Sequence, residues 1–233
     1  GFAPSPAHAT PSVTVCVLEK MLPLAAECSV LVARGTDGAM VHFPVQRNLH
    51  RDGILAVTEV FAGNLPAPVA AGAVAAAESI AQGLDYVGLL CVEFFVLQDG
   101  SLVVNEIAPR PHNSGHYTLD ACDVSQFELQ VRTLAGLPLN APRQHSPAIM
   151  LNLLGDLWPE VTPTGKGPTS PAWAQVLALP GTHLHLYGKL SARPGRKMGH
   201  LTLTAATVAE LQANALAACR ILGIAPLPAW PAP

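Results

Sequence analysis

The sequence predicts an α+β fold. Two strand-like pairs, each joined through an Asp-Gly step (Asp37-Gly38 and Asp99-Gly100), point to antiparallel hairpins. Alanine-rich or amphipathic helical segments, punctuated at their ends by Pro, Gly or a capping residue, alternate with them. Half of the 233 residues are hydrophobic, enough to build a sizeable core in one large domain or two small ones.

Residues 1–12 are rich in Pro, Ala and Ser and read as a loop, and residues 13–19 alternate in strand fashion. GFAPSPAHATP has neither an initiator Met nor the basic and apolar regions of a signal peptide, so the chain is expected to be a piece whose true start lies upstream. Residues 27–34 and 39–45 should pair antiparallel through Gly35-Thr36-Asp37-Gly38. Residues 68–82 form an Ala-rich helix, entered through Pro66 and Pro68 and closed by Gly83 as a left-handed cap. Two strands, 86–98 and 101–107, flank Asp99-Gly100. A helix over 125–135 has Ser125 as N-cap, Glu128 closing a capping box, and Gly136 and Pro138 as its stop.

Past Asn140 the texture changes to short apolar runs at 148–154 and 182–186, a Pro/Gly-rich connection over 159–171 and a helix over 206–222. This reads as a smaller second domain, so the expected division is 1–140, 141–222 and a proline-rich tail, 223–233.

Composition excludes several classes of function. Charged residues make up 12% against roughly 25% in an average domain, and the net charge is −3, so nucleic acid is not an expected partner. Mean hydropathy is +0.34, but the longest strongly apolar stretch, residues 86–97, is broken by Glu93 and is too short to span a bilayer. Five scattered cysteines without a C-x-x-C pair argue against a disulfide scaffold or a thiolate zinc site and favour a reducing compartment.

The sharpest chemical signal is hairpin arithmetic. A two-residue turn at Asp99-Gly100 pairs Leu97 with Leu102, Phe95 with Val104 and Glu93 with Glu106. Carboxylates so opposed repel by about 4 kcal/mol at an effective dielectric of 20. A shared proton or a cation must compensate, and an oxygen-rich pair suits Mg²⁺. The alternative is that the turn is not two residues long and the pair never forms, or that one Glu meets an arginine such as Arg110. The segment after it, NEIAPRPHNSGH, sets Arg110 for an oxyanion, Asn113 and Ser114 as hydrogen-bond donors and His112 as a proton donor or relay. Zinc on His112 and His116 is the rival reading; Pro111 and Gly115 disrupt the helical spacing it needs, and no third soft ligand is evident. Lys189, Arg193, Arg196 and Lys197 form either a solvated turn or a phosphate site, the latter if they fold back toward the carboxylates. On pattern alone, Glu19 to Leu22 end a strand and Glu27 is a surface glutamate.

NEIAPRPHNSGHYTLDACDVSQFELQVR, together with NLHRDGIL, EKMLPLAAECSV and RPGRKMGH, closely resembles the N5-carboxyaminoimidazole ribonucleotide synthetases, ATP-grasp ligases of purine biosynthesis, over residues 13–222. The resemblance implies the larger ATP-grasp lobe, with an antiparallel sheet and helices, plus a small C-terminal α/β domain of the rudiment single hybrid type. It also implies ATP and bicarbonate as co-substrates, with Mg²⁺ or Mn²⁺, for carboxylating the amine of 5-aminoimidazole ribonucleotide through carboxyphosphate.

Carried over residue by residue, the family pattern makes Glu93 and Glu106 the metal ligands and places Asn105 beside the triphosphate. Glu19, Lys20, Met21 and Leu22 resemble the adenine hinge, Glu27 the ribose position and His50 another nucleotide contact. Arg110, His112, Asn113 and Ser114 resemble the loop around bicarbonate and the reacting amine. Lys189, Arg196 and Lys197 resemble the binders of the ribonucleotide phosphate. The family's N-terminal domain, and the subdomain carrying a phosphate lysine and a Gly-rich loop, have no counterpart in the sequence. The chain alone is therefore expected to be inactive, and its parent a cytoplasmic homodimer, or plastidic in a photosynthetic eukaryote. The alternatives are a non-catalytic nucleotide-binding module, another ATP-grasp carboxylate–amine ligase, or a metal hydrolase.

Overall fold

The computed structural model describes residues 16–158 and 170–225, and the strands within them pair antiparallel into a single sheet. The strands are β1 (Leu24–Arg34), β2 (Met40–His42), β3 (Gln46–Arg51), β4 (Ile54–Val60), β5 (Gly88–Leu97), β6 (Leu102–Ala108), β7 (Ala148–Leu154), β8 (Thr182–Leu186) and β9 (Lys197–Thr204). The helices are α1 (Ala67–Gly83), α2 (Thr118–Ala121), α3 (Gln126–Leu134), α4 (Trp173–Leu177) and α5 (Val208–Leu222). The order across the sheet is β6-β5-β1-β3-β4-β7-β9-β8, with β2 beside the far end of β1. The β4–β7 pairing carries the sheet across position 140.

Strand alternation decides what each face buries. Cys28, Val30 and Val32 of β1 and Leu90, Val92, Phe94 and Val96 of β5 pack on Val69, Ala73, Ala77 and Ala81, which recur every fourth residue along α1. The other face of the same strands sends Leu31, Ala33, Leu89 and Cys91 into a second core with Tyr117 and Leu129. Followed in the opposite direction, that row becomes Ser29 and Glu27 on β1, paired with Glu93 and Phe95 on β5. The apolar stripe turns polar there, which places a site at that end. A third core joins Ile149, Leu151, Leu201 and Leu203 to Leu211, Ala215 and Cys219 of α5, a helix opened by a Thr207–Glu210 capping box and closed by left-handed Gly223.

Several expectations need correction. Residues 16–19 form no strand: Val17 and Leu18 are exposed without a partner strand, and residues 13–15 lie outside the described residues, as do 159–169 of the expected connection and 226–233 of the tail. The strand expected over 39–45 shrinks to Met40–His42, since Pro44 has no N–H to offer. Gly83 is still helical; α1 ends on Leu84 in a right-handed conformation, and the positive φ falls on Asp85. Ser125 accepts from the Glu128 N–H, but the Glu128 carboxylate turns to Arg132, so the capping box is half made. The hairpin β3–β4, α2, α4 and β9 go beyond the elements expected from the sequence. The first turns on Asp52-Gly53, both at positive φ, the same dipeptide that marks the other hairpins.

The β5–β6 hairpin departs from the arithmetic twice. Asp99 Oδ1 accepts from both the N–H and the hydroxyl of Ser101, and the loop closes as Gln98-Asp99-Gly100, with Leu97 N–H donating to Ser101 O. The pairs are therefore Val96 with Leu102, Phe95 with Val103 and Phe94 with Val104, one residue from expectation. A bulge at Asn105 then absorbs the extra residue and restores Glu93 opposite Glu106. Consecutive strand residues normally face opposite sides, yet the bulge lets Asn105 and Glu106 line one hollow.

Candidate active site

That hollow, about 400 Å³, lies where the apolar row ends. β1 contributes Glu27, the β3–β4 hairpin His50, Gly53 and Leu55, β5 Glu93 and Phe95, β6 Asn105 and Glu106, the following loop Arg110 and His112, and β9 Lys197. Strands far apart in sequence thus converge on one place.

Glu93 is the electrostatic centre. It is 8% exposed, and burial alone would raise its carboxyl pKa. The hydrogen bond from His112 and the positive charges of His112, His50 and Lys197 outweigh burial and hold it below the usual carboxylate range. His112 Nε2 lies 2.8 Å from Glu93 Oε1, and His50 Nε2 is 3.9 Å from Oε2. The other nitrogen of His50 contacts Glu27. Lys197 is pushed down by burial, partly offset by Glu93 and reinforced by the charges of Arg110 and Lys189.

His112 is fixed from both sides. Its Nδ1 is 2.9 Å from Ser114 Oγ, and its backbone N–H and C=O bond the Gln126 side-chain amide. Ser114, fully buried, accepts from the Ser29 hydroxyl, which in turn accepts from Asn48 Nδ2, and Thr58 donates to Asn48 Oδ1. A chain of buried polar groups thus runs from β4 to the imidazole beside Glu93. Sequence reasoning missed Ser29, Asn48, Thr58 and Gln126; for Ser29 and Thr58 the available signal was a polar residue set inside a largely apolar strand.

The other candidates are distributed unevenly. Asn113 faces away and exchanges amide hydrogen bonds with Asn152, at 3.0 and 2.6 Å, and Ser114 reaches the hollow only through His112. Arg110 lines the hollow and donates to Pro111 O. Of the basic cluster, Lys197 reaches the carboxylates, whereas Lys189 is exposed over the Tyr187 ring and Arg196 donates to Ser191. The turn itself is tied to the end of β7: Gly155 N–H donates to Arg196 O, and Gly195 N–H to Asp156. Glu19, Lys20 and Met21 are exposed, and with Leu22 they line neither this hollow nor a smaller one of about 180 Å³ along Leu24 to Glu27 and β3. The two hollows share Glu27.

Zinc on His112 and His116 finds no support, since His112 is engaged with Glu93 and His116 with Gln126 Nε2 at 2.8 Å. The buried thiols Cys28 and Cys122 are both raised to about 12, chiefly by burial, and are poor thiolate ligands.

Residues 4–127 match the family model for the ATP-grasp domain, more than half of the chain. The chain belongs to the ATP-grasp family. Residues 148–214 of this ATP-grasp chain match the phosphoribosylaminoimidazole carboxylase C-terminal domain. The N5-carboxyaminoimidazole ribonucleotide synthase of Brucella melitensis is 46% identical over 186 residues, covering 80% of this chain and 48% of that protein. The Escherichia coli synthase is 40% identical over 199 residues, 85% of this chain and 51% of that one.

Among solved structures, the synthetase from Thermus thermophilus superposes with a TM-score of 0.76 at 38% identity, over 89% of this chain and 53% of that one. The Aspergillus clavatus enzyme, in complex with ADP and 5-aminoimidazole ribonucleotide, gives 0.76 at 31% identity, over 88% and 53%. The ATP-grasp chain spans about half the length of the curated relatives it matches. Among its described residues, no helix is long and apolar enough to cross a membrane.

Proposed function

We propose that this chain forms the metal- and phosphate-facing part of an ATP-dependent carbon–nitrogen ligase that carboxylates 5-aminoimidazole ribonucleotide with bicarbonate, yielding ADP, phosphate and N5-carboxyaminoimidazole ribonucleotide. The observation that carries the reading is Glu93 opposite Glu106, with Asn105 swung into the same hollow by the bulge.

The donor set fits Mg²⁺ or Mn²⁺: two carboxylates and an amide oxygen are hard ligands, and the depressed Glu93 stays ionised. Glu93 has Oε2 left for the cation, because Oε1 is held by His112. When bound, the cation supplies neutralisation of charge on the phosphoryl group being transferred from ATP.

The chain's own groups do the rest. Arg110 offers a planar guanidinium to a planar oxyanion such as bicarbonate. His112, held between a carboxylate and Ser114, can keep or pass on a proton at Nε2. Lys197 brings a positive charge to the phosphates, and Lys189 and Arg196 stand outside it for the ribonucleotide phosphate. Ser114 and Asn113 are positioning residues, acting through His112 and the loop. Glu27, where the two hollows join, suits the nucleotide ribose, with His50 beside it; Glu19 to Leu22, outside both hollows, keep the adenine role that the family resemblance gives them.

The two family matches support a division into residues 1–140 and 141–222. A cytoplasmic homodimer accompanies this reading, and light scattering on the full-length protein tests the dimer.

The decisive assay supplies the N-terminal half of the Brucella melitensis relative ahead of this chain and measures ADP release. Release should require both bicarbonate and 5-aminoimidazole ribonucleotide, and Arg196→Ala should raise the KM for the ribonucleotide far more than that for ATP. ADP release indifferent to both co-substrates would refute the proposal.

A further inference from the structure

The opposite edge of the sheet holds a second set of metal-type donors that the ligase reading does not use. His183 and His185, two apart on β8, project from one face, and His200 stands directly across from His185 on β9. Asp120 of α2 reaches the same face: its Oδ2 is 2.9 Å from His185 Nε2, and its Oδ1 is 3.7 Å from His183 Nδ1. The rings of His185 and His200 stack at 4.4 Å with 12° between their planes. One ligand atom from each of Asp120, His185 and His200 lies within 4.8 Å of the others.

His200 supplies an independent observation. It is 2% exposed, its Nδ1 is 2.9 Å from the Tyr187 hydroxyl, and its Nε2 is buried with no hydrogen-bond partner. Leaving such a nitrogen unsatisfied carries the full penalty of its lost hydration. With Nδ1 taken by Tyr187, Nε2 is the nitrogen His200 has to offer. Metal-bound histidines show this arrangement, one nitrogen on the ion and the other oriented by an outer hydrogen bond.

We propose that Asp120, His185 and His200 form a binding site for a borderline divalent transition metal, with Zn²⁺ the preferred ion and water in the fourth position. Two imidazoles and one carboxylate match zinc and its neighbours better than Mg²⁺, which prefers all-oxygen ligands. His185 is 33% exposed, so an ion has a way in and a water can reach it. Tyr187 is the outer partner that sets the His200 tautomer.

The test titrates Zn²⁺ into the 233-residue chain after EDTA treatment and dialysis, with Co²⁺ absorption as the geometric readout. One equivalent should bind, and Co²⁺ should give the visible bands of a four-coordinate ion that Zn²⁺ then abolishes. Asp120→Asn and His185→Gln should each weaken Zn²⁺ at least tenfold, and Tyr187→Phe, which touches no ion, by about tenfold. Replacing His200 risks the core, so the other three variants carry the test, each checked for native circular dichroism. Absence of saturable Zn²⁺ binding by the folded chain overturns the proposal. So does binding that survives both Asp120→Asn and His185→Gln, or that is lost instead in Glu93→Gln.

Discussion

At one end of the sheet, β5 and β6 oppose Glu93 and Glu106, with Glu27 nearby and His50 and His112 in contact with carboxylates. At the other, β8 and β9 oppose His185 and His200 with Asp120 as the acid beside them. Both ends use the same device, an antiparallel pair that places like residues face to face. They differ in how the crowding is relieved. The acidic end keeps its charge and gathers cationic partners, with His112 and Lys197 depressing Glu93. The imidazole end sheds its charge: burial first, then repulsion from neighbouring cationic groups, lowers His116 to about 4 and His200 to about 3. The carboxylate ratio thus selects a hard cation at one end and a borderline one at the other.

Removing one charge from the acidic end should have the largest effect. In the ADP-release assay with the supplied N-terminal half, Glu106→Gln should lower turnover by ~10³-fold at saturating Mg²⁺, because several kcal/mol of charge neutralisation depend on the pair. Near-normal turnover would mean that the two ends do not differ in function as their donors suggest. Zn²⁺ binding by the same variant should be unchanged.

Acid should unfasten the imidazole end before the carboxylate end. His116 and His200 bind fewer protons folded than unfolded wherever pH lies between their folded values, about 4 and 3, and the ordinary 6.5. Stability therefore falls as pH drops below about 6.5, by roughly 1.4 kcal/mol per pH unit for each imidazole, and levels off near the folded values. Glu93 is depressed, so its contribution is lost only below the ordinary carboxylate value of 4.5. Urea unfolding of the chain in EDTA at pH 7.5, 6 and 5 measures the first phase alone. A flat profile over that range would show that the imidazoles are hydrated rather than buried.

A smaller effect separates support from chemistry at the acidic end. Ser114→Ala removes the hydroxyl between Ser29 and His112 and should cost about 1–3 kcal/mol of stability. It should also shift the pH profile of kcat while leaving the KM for ATP unchanged, the mark of a residue that acts through His112. An unaltered pH profile would reduce Ser114 to packing.

What the sequence disclosed follows from how local each feature is. The Asp-Gly hairpins, α1, α3 and α5 and the Glu93–Glu106 pairing were legible because turn chemistry and periodicity act over a few residues. The pairing was reached through two shifts that cancel, the Asx turn at Asp99 and the bulge at Asn105, neither visible to simple counting. The β3–β4 hairpin carries its own local mark in Asp52-Gly53, though β3 beside it is short and polar enough to hide it. The polar chain from Thr58 to His112 and the Asp120–His185–His200 cluster were not legible, since each joins residues from separate strands and depends on sheet order. The alternating His183 and His185 were the sole local trace of the second site.

The weakest perturbation tests how far that second site extends. His183 Nδ1 is 3.7 Å from Asp120 Oδ1, longer than a hydrogen bond, and its side chain is 41% exposed. An exposed charge pair of this kind contributes about 0.2–1 kcal/mol. His183→Ala should therefore leave urea stability nearly unchanged and weaken Zn²⁺ by no more than about fivefold, the equivalent of ~1 kcal/mol. The Co²⁺ spectrum should also keep its bands, because water and not His183 fills the fourth position. A loss as large as that from Asp120→Asn, with a changed spectrum, would make His183 a fourth ligand and the site a closed, structural one. In that case the two ends of the sheet would differ in openness as well as in donor ratio: the acidic end built to admit substrate oxygens, the imidazole end to exclude them.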